Sequence, residues 1–270
     1  MILSASRRTD LPRYHLEWFL NRLAEGYASV SNPFRPSQVR HVPLSPDAVD
    51  GIVFWSKYPA AMLLYLETLS NYPYYIQFTI TPYDTKIEPG IPDKDGLVIP
   101  CFQQFAEQIG PARVIWRYDP ILINEYWTTK RHTETFSRIA HKLCGYTEQC
   151  IISFLDSYRH IASTIRRLGI REPDETEKRD LVRALADIAR EHKIQLSACA
   201  EPIDFTTEGV SPARCIDAAL LTRIAGRSIV VKRDSNQRPA CGCSQSMDLG
   251  TYQTCPAGCV YCYARKGQTL

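Results

Sequence analysis

The sequence has no long apolar run, and no stretch of it approaches the roughly 20 residues that a membrane-spanning helix needs. The N-terminal segment MILSASRRTD lacks the apolar core of a signal peptide and quickly becomes charged. An excess of one charge is also missing, because 32 basic and 29 acidic residues leave a net charge of +3. We therefore expect a cytoplasmic protein with no membrane partner, and the near-neutral charge argues against nucleic acid as a ligand.

Several common catalytic motifs are absent as well. The six histidines show neither HxH nor HExxH spacing, which disfavours a histidine-based metal site. No serine lies in a GxSxG segment, so a serine hydrolase has no support. No GxGxxG turn follows the first predicted strand, which disfavours a dinucleotide-binding sheet.

What is present is an alternation of short apolar runs with segments of helical period. A helix over Leu16 to Leu23, ended by Gly26, shows the i, i+3, i+4, i+7 spacing of one apolar face. We expect a second helix opened by Ser211-Pro212 and closed by Gly226, and an ordered surface loop over the proline-containing segment 32–47. The expected strands are 2–5, 51–55, 74–80, 113–116, 150–154, 194–198 and, as a seventh, 228–231.

Strands separated by helices imply a parallel sheet. The predicted fold is therefore α/β, a complete or partial parallel (β/α) barrel of the TIM type, with the doubly wound open sheet as the alternative. We expect residues 1–235 to form this barrel domain and the cysteine-rich segment 236–270 to pack on its mouth.

Charged side chains follow the predicted strands, and in a β/α barrel such positions converge on one mouth, where active sites lie. These side chains could bind substrate or move protons. Alternatively they have no function, and strand ends are polar because loops are solvated. Arg117 and Asp119 could equally satisfy each other, and Lys57 could be an ordinary surface lysine. The candidate catalytic residues are Arg8, Asp10, Lys57, Arg117, Asp119 and Glu201.

The clearest feature is cysteine, of which the chain has ten, with five in the last 30 residues. A reducing cytosol disfavours disulfides, so this clustering indicates metal or redox chemistry. Cys255, Cys259 and Cys262 have the spacing C-x3-C-x2-C. Three soft thiolates at this spacing suit an iron–sulfur cluster and leave one iron of a cubane open to another ligand.

The spacing, with aromatic residues around Cys262, resembles the cluster motif of radical S-adenosylmethionine enzymes. The resemblance implies a [4Fe–4S] cluster on the three cysteines, with S-adenosylmethionine chelated to the unique iron and cleaved after one-electron reduction. It implies that Tyr261 and Tyr263 lie beside the cluster or the cofactor. It also implies an electron donor such as flavodoxin or ferredoxin and an enzyme acting on a small-molecule substrate.

The motif normally follows the first barrel strand, whereas here it ends the chain. A circular permutation would reconcile the two orders, with 247–252 as the strand before the cluster loop and 1–6 as the next strand. The whole chain also resembles an uncharacterised prokaryotic family of unknown function, through the segments SRRTD (6–10), FWSK (54–57), WRYDP (116–120) and the terminal cysteines.

Four other cysteines form a second candidate set, because each is expected on the same edge of the barrel. Four thiolates could close a zinc site or hold a second cluster, although Cys199 and Cys215 could also be small buried apolar residues. The set is Cys199, Cys215, Cys241 and Cys243. The alternative for the whole molecule is a zinc-binding structural tail on a barrel whose catalysis or ligand binding needs no metal.

Overall fold

The computed structural model describes residues 1–33 and 35–265. In chain order the strands are β1 (Ile2–Ala5), β2 (Tyr27–Asn32), β3 (Arg35–Pro43), β4 (Gly51–Ser56), β5 (Tyr74–Thr79), β6 (Val114–Ile121), β7 (Gln149–Phe154), β8 (Gln195–Ala198), β9 (Ser211–Pro212) and β10 (Met247–Asp248). The α-helices are α1 (Leu11–Tyr14), α2 (Leu16–Glu25), α3 (Leu66–Leu69), α4 (Ile99–Ile109), α5 (Thr129–Leu143), α6 (Ala162–Arg167), α7 (Glu175–Glu191) and α8 (Ala218–Ala225).

Eight strands form one sheet in the order β10-β1-β4-β5-β6-β7-β8-β9, and all its neighbouring strands run parallel. The predicted α/β class with a parallel sheet is confirmed. The order is open, since no pairing joins β9 to β10 in the part of the chain that the structure describes. Hydrogen bonds therefore do not close this sheet into a complete TIM-like barrel.

The two faces of the sheet are covered unequally. Alternate residues of each strand face opposite sides, so Leu3, Phe54 and Trp116 lie in a large core with helices α1 to α5 and α7. Ile2 and Val53 lie in a smaller core, which is covered by α8 and by loops that carry cysteines. Most of the helices thus cover one face of the sheet, as they do in a β/α barrel, and α8 covers the other.

Three local predictions from the sequence are wrong. Ser211-Pro212 does not open a helix but forms the edge strand β9, and α8 begins six residues later with the Asp217 carboxylate accepting from the Ala219 amide at 2.8 Å. Residues 228–231 form no strand. Most of segment 32–47 is strand, because β3 pairs antiparallel with β2 as a separate hairpin. Among the described helices, none is long and apolar enough to cross a membrane.

Candidate metal centre at the carboxyl edge of the sheet

Parallel strands place all their carboxyl ends along one edge, and the C-terminal tail crosses this edge. Strand β10 pairs with β1, so the tail starts beside the loop that follows β1. The Val260 amide donates to the Ile87 carbonyl at 3.0 Å, and the Gly90 amide donates to the Ala257 carbonyl at 2.9 Å. The tail is thereby fixed to the loop between β5 and α4 as well as to the loop after β1.

The approach of the tail to Gly90 is close. A Cβ atom at Gly90 would lie 2.5 Å from the Ala257 carbonyl oxygen and 2.8 Å from its Cα atom. Such distances are sterically forbidden, and both contacts are with backbone that cannot rotate away. Only glycine at position 90 allows the loop between β5 and α4 to lie this close to the tail.

The three tail cysteines line one small pocket that is partly open to solvent and is bordered also by Gln253, Ala257, Gly258, Ala264 and Arg265. Burial raises the pKa of Cys259 to about 12, against a smaller lowering by the Lys57 ammonium. Burial also raises the pKa of Cys262. In the free protein these two thiols are therefore neutral, and a metal must displace their protons to bind.

The donor chemistry of this pocket fits a thiophilic centre, since its ionisable lining residues are three thiols and Arg265. In the described part of the chain, no group of three or more His, Cys, Asp or Glu side chains is placed so that it could hold a metal ion as it stands. Ligation by Cys255, Cys259 and Cys262 thus requires their side chains to turn toward a common point.

Beside the cysteines lies a buried carboxylate, Glu88, which is 1% exposed. It accepts hydrogen bonds from Lys57 Nζ at 2.8 Å and Lys94 Nζ at 2.6 Å, and from Thr81 Oγ1 at 2.7 Å. The Tyr261 hydroxyl donates to the same carboxylate. Burial alone would raise the pKa of Glu88, but the two lysines outweigh it and hold this pKa at about 2.

Two of the predicted residues therefore meet at Glu88. The Lys57 ammonium lies 5.6 Å from the centre of the Tyr261 ring, so Lys57 links the loop after β4 to the cysteine tail. Tyr263 is placed differently, because its hydroxyl donates to the Arg7 carbonyl on the other side of the tail. The two tyrosines that flank Cys262 thus hold it between two loops.

A second carboxylate, Asp248, fixes the loop after β1. It accepts from Ser4 Oγ at 2.9 Å, Ser6 Oγ at 2.5 Å, the Arg7 amide at 2.9 Å and the Gly250 amide at 3.0 Å. Each of these donors lies on β1, on its loop or on the tail. Asp248 therefore joins β10 and β1 by side-chain contacts at the point where their backbone ladder ends.

Arg8 and Asp10 lie on this same loop. Arg8 donates to the Gly250 carbonyl at 3.3 Å, and its guanidinium is 5.4 Å from the Tyr252 ring centre. Asp10 caps α1 by accepting from the Arg13 amide at 3.2 Å and also accepts from the Lys57 amide at 3.0 Å. Asp10 thus positions Lys57, whereas Arg8 faces the tail.

Arg117 and Asp119 contact each other, as one of the two sequence-based interpretations required. Arg117 also donates from Nη1 to Cys215 Sγ at 3.0 Å and lies over the Trp55 ring at 5.0 Å. Glu201 accepts from the Phe154 amide at 2.8 Å, next to Ser153, whose hydroxyl donates to Asp119. Burial raises the pKa of Glu201 to about 7.

The structure also brings together the second set of cysteines. Cys199 and Cys215 have their Sγ atoms 3.2 Å apart. The Cys243 side chain contacts both Cys215 and Cys241. The four thiols therefore form one continuous chain of contacts next to Arg117.

Sequence reasoning did not identify Glu88, Lys94 or Asp248. Glu88 and Lys94 follow the third predicted strand at some distance, within a segment of no clear period. Asp248 had a usable signal, because it is a carboxylate within the segment that the permutation hypothesis already treated as a strand.

The fold is that of an α/β protein with a parallel sheet whose polar residues gather at the carboxyl edge. Residues 2–264 match the family described as "Domain of unknown function (DUF1848)", and the chain belongs to that family. A comparison with curated proteins gives no match.

Proposed function

We propose that this chain is an iron–sulfur protein that holds a [4Fe–4S] cluster through Cys255, Cys259 and Cys262. The observation that carries the proposal is that these three thiols line one pocket at the carboxyl edge of a parallel sheet. Three thiolates complete all but one of the four iron positions of a cubane, so one iron remains open for a ligand that is not a protein side chain.

We further propose that the open position serves S-adenosylmethionine and that the protein is an enzyme of radical chemistry. The strand order supports this, since β10 leads into the cysteine loop and pairs in parallel with β1. This is the neighbourhood that a circular permutation of the radical enzymes requires. In the same proposal the sheet, with most of its helices on one face, corresponds to a partial barrel.

A cluster of this kind supplies one electron to the bound cofactor, and a flavodoxin or ferredoxin would be its source. The residues of the chain position the loops and control access. Glu88, Lys57 and Tyr261 fix the tail on one side. Asp248 fixes it on the other side through four donors. Within this frame Cys259 is buried, and Cys255 and Cys262 are partly exposed.

A small-molecule substrate would bind at the carboxyl edge of the sheet, beside residues whose polar groups can still contact it. Arg8 is half-buried, and its guanidinium lies 4.0 Å from the Asp248 carboxylate and donates to the Gly250 carbonyl, so an anionic group would share it with these partners. Glu201 can take up or release a proton near neutral pH, since its pKa is about 7. Lys57, Asp10, Arg117 and Asp119 already have protein partners, and we assign them positioning roles around the site.

The test is anaerobic purification followed by iron, sulfide and zinc analysis. We compare the wild type with a triple Cys255→Ala, Cys259→Ala, Cys262→Ala variant and with Cys144→Ser, an exposed cysteine outside both groups. We expect about four irons and four sulfides per chain in the wild type and in Cys144→Ser, and their loss in the triple variant.

Reduction of the loaded protein with S-adenosylmethionine should then yield 5′-deoxyadenosine, detected by chromatography. Iron and sulfide without cleavage would contradict the radical enzyme and leave an electron-transfer or structural cluster. Zinc on the tail cysteines without sulfide would contradict the whole proposal and favour the structural zinc tail.

A further inference from the structure

The second group of cysteines is assembled from three separate segments. Cys199 directly follows β8, Cys215 lies between β9 and α8, and Cys241 and Cys243 lie in the loop before β10. Cys215, Cys241 and Cys243 are at most 6% exposed and belong to the smaller core. Three chain segments thus bring three buried thiols and the partly exposed Cys199 together, and no disulfide joins any of them.

Backbone contacts hold these segments together independently of the sulfurs. The Ala213 amide donates to the Ala198 carbonyl at 2.8 Å, and the Ser244 amide donates to the Ile216 carbonyl at 2.8 Å. At Gly242, between the last two cysteines, an added Cβ would lie 3.2 Å from the Ala213 carbonyl oxygen. The loop that carries Cys241 and Cys243 is therefore pressed against the segment that carries Cys215.

Two donors point at the sulfurs from outside the group. Arg117 Nη1 donates to Cys215 Sγ at 3.0 Å, and the Ile216 amide donates to Cys243 Sγ at 3.4 Å. A hydrogen bond to sulfur favours its thiolate form, and the guanidinium offsets negative charge that would otherwise be buried. Such donors around thiolates are the outer contacts that metal sites use to orient their ligands.

The sulfur spacing selects the kind of centre. Around one zinc ion, with Zn–S bonds of about 2.3 Å and tetrahedral geometry, neighbouring sulfurs lie about 3.8 Å apart. Cys199 and Cys215 are 3.2 Å apart, within about half an ångström of that spacing. As they stand, the four sulfurs form a chain of contacts and do not surround one point, so binding requires the side chains to turn toward a common centre. The cysteine sulfurs around a four-iron cube lie much farther apart, because each binds a different iron.

We infer that this group binds a single zinc ion with four thiolate ligands, Cys199, Cys215, Cys241 and Cys243. Each thiol loses a proton as the ion binds, and no electron is transferred. With four protein ligands the ion has no open position, so the site is structural. It joins the end of β8 to the loop before β10 across the smaller core.

The inference does not depend on the proposed function, and the two are tested on different cysteines. We would load the triple tail variant, which lacks any cluster chromophore, with Co²⁺ and then with Zn²⁺. We expect one equivalent of cobalt with the intense visible bands of tetrahedral thiolate coordination, displaced by one equivalent of zinc. The same variant should gain thermal stability when zinc is added.

Cys241→Ser and Cys243→Ser, each in that background, should lose the cobalt bands and the thermal shift, and Cys144→Ser should keep both. If the serine variants fail to fold, the cobalt spectrum of the parent decides alone, since bands of fewer thiolates or no binding would overturn the inference. Zinc retained by folded serine variants, or iron with sulfide at these cysteines, would also overturn it. A failed cluster on the tail would leave these readouts unchanged.

Discussion

At the scale of single residues, the site depends on carboxylates that bridge distant segments. Glu88 receives Lys57 from the loop after β4, Lys94 from the segment before α4 and Tyr261 from the tail. Its two ammonium partners are themselves largely buried, at 15% and 17% side-chain exposure. Removing the carboxylate therefore leaves two cations without their counter-charge, which costs more than the loss of the hydrogen bonds.

Glu88→Gln should lower the free energy of unfolding at pH 7 by about 3 kcal/mol, given a folded pKa of about 2 against 4.5. Because the folded pKa is depressed, this stability is present above pH 4.5 and is lost as the pH falls toward 2. Urea unfolding of wild type and variant at several pH values measures it. Glu125→Gln, an exposed change, is the control, and an equal pH slope in Glu88→Gln and wild type would contradict the assignment.

Glu201 should behave in the opposite way, since burial raises its pKa to about 7. The folded protein holds this proton more tightly than the unfolded chain, so wild-type stability falls as the pH rises from 4.5 to 7. Glu201→Gln removes the penalty and should be more stable than wild type by about 1 to 2 kcal/mol at pH 8, allowing for partial exposure. At pH 4.5 the two should differ little, and a variant that is less stable at pH 8 would show that the carboxylate is stabilising.

Much of the residue-level site was accessible from the sequence, but its pairings were not. Charged residues after strands and clustered cysteines are local signals, so Arg117, Asp119 and the two cysteine groups could be named in advance. Which groups meet depends on packing between segments. Asp10 was a candidate catalytic residue, and the structure shows that it caps α1 and holds the Lys57 amide.

At the scale of elements, the tail and the loop between β5 and α4 form one unit through the close backbone contact at Gly90. Gly90 does not have a positive φ, so an alanine there costs no backbone strain and acts only through its methyl group. The contact therefore offers a way to displace the cysteine tail without touching a cysteine.

Gly90→Ala should break the hydrogen bonds between Gly90 and Ala257 and between Val260 and Ile87. Hydrogen exchange measured by mass spectrometry should be faster in peptides that cover 255–264. Iron analysis should show that the proposed cluster retains less iron in this variant. Gly145→Ala is the control, since it adds a methyl group where no atom lies within 4 Å, although its φ of +82° brings a local strain of about 1 kcal/mol. Unchanged exchange in the tail of Gly90→Ala would mean that the tail is held elsewhere.

Elements with a clear hydrophobic periodicity were predictable from the sequence. Elements that exist only because they pair with another strand were not. The central strands and α2 follow from apolar runs and helical spacing. The hairpin of β2 and β3 was missed because β3 is almost entirely exposed and contains prolines, so it shows no alternation. Strand β9 has two residues and exists only through its pairing with β8. No periodicity can identify an element of that length.

At the scale of the whole molecule, the first and the tenth strand of the chain are neighbours. Their backbone pairing is only two residues long, and Asp248 adds to the connection by accepting from Ser4, Ser6 and the Arg7 amide. The parallel sheet was predictable from the alternation of strands and helices. Its open order was not, because pairing between the last and first strands of a barrel leaves no trace in local sequence.

Asp248→Asn should destabilise the protein by about 2 to 4 kcal/mol, because the amide nitrogen would face donors that now meet a charged oxygen. Chemical denaturation gives the change, and the iron content of the variant reports on the tail. Asp187→Asn removes an exposed pair with Arg190 and should change stability by less than about 0.5 kcal/mol. Similar losses in both variants would show that Asp248 has no special role.

The adjacency of β1 and β10 also sets an order for assembly during translation. Ser4 and Asp248 are 244 positions apart, so β1 leaves the ribosome long before its partner exists. Until then, of its two neighbours in the described sheet, β1 has only β4, and the growing chain lacks all three tail cysteines. The second thiol group is complete only once Cys243 has been made, and the tail group only once Cys262 has been made. The proposed centres would therefore form after the strands that surround them already exist.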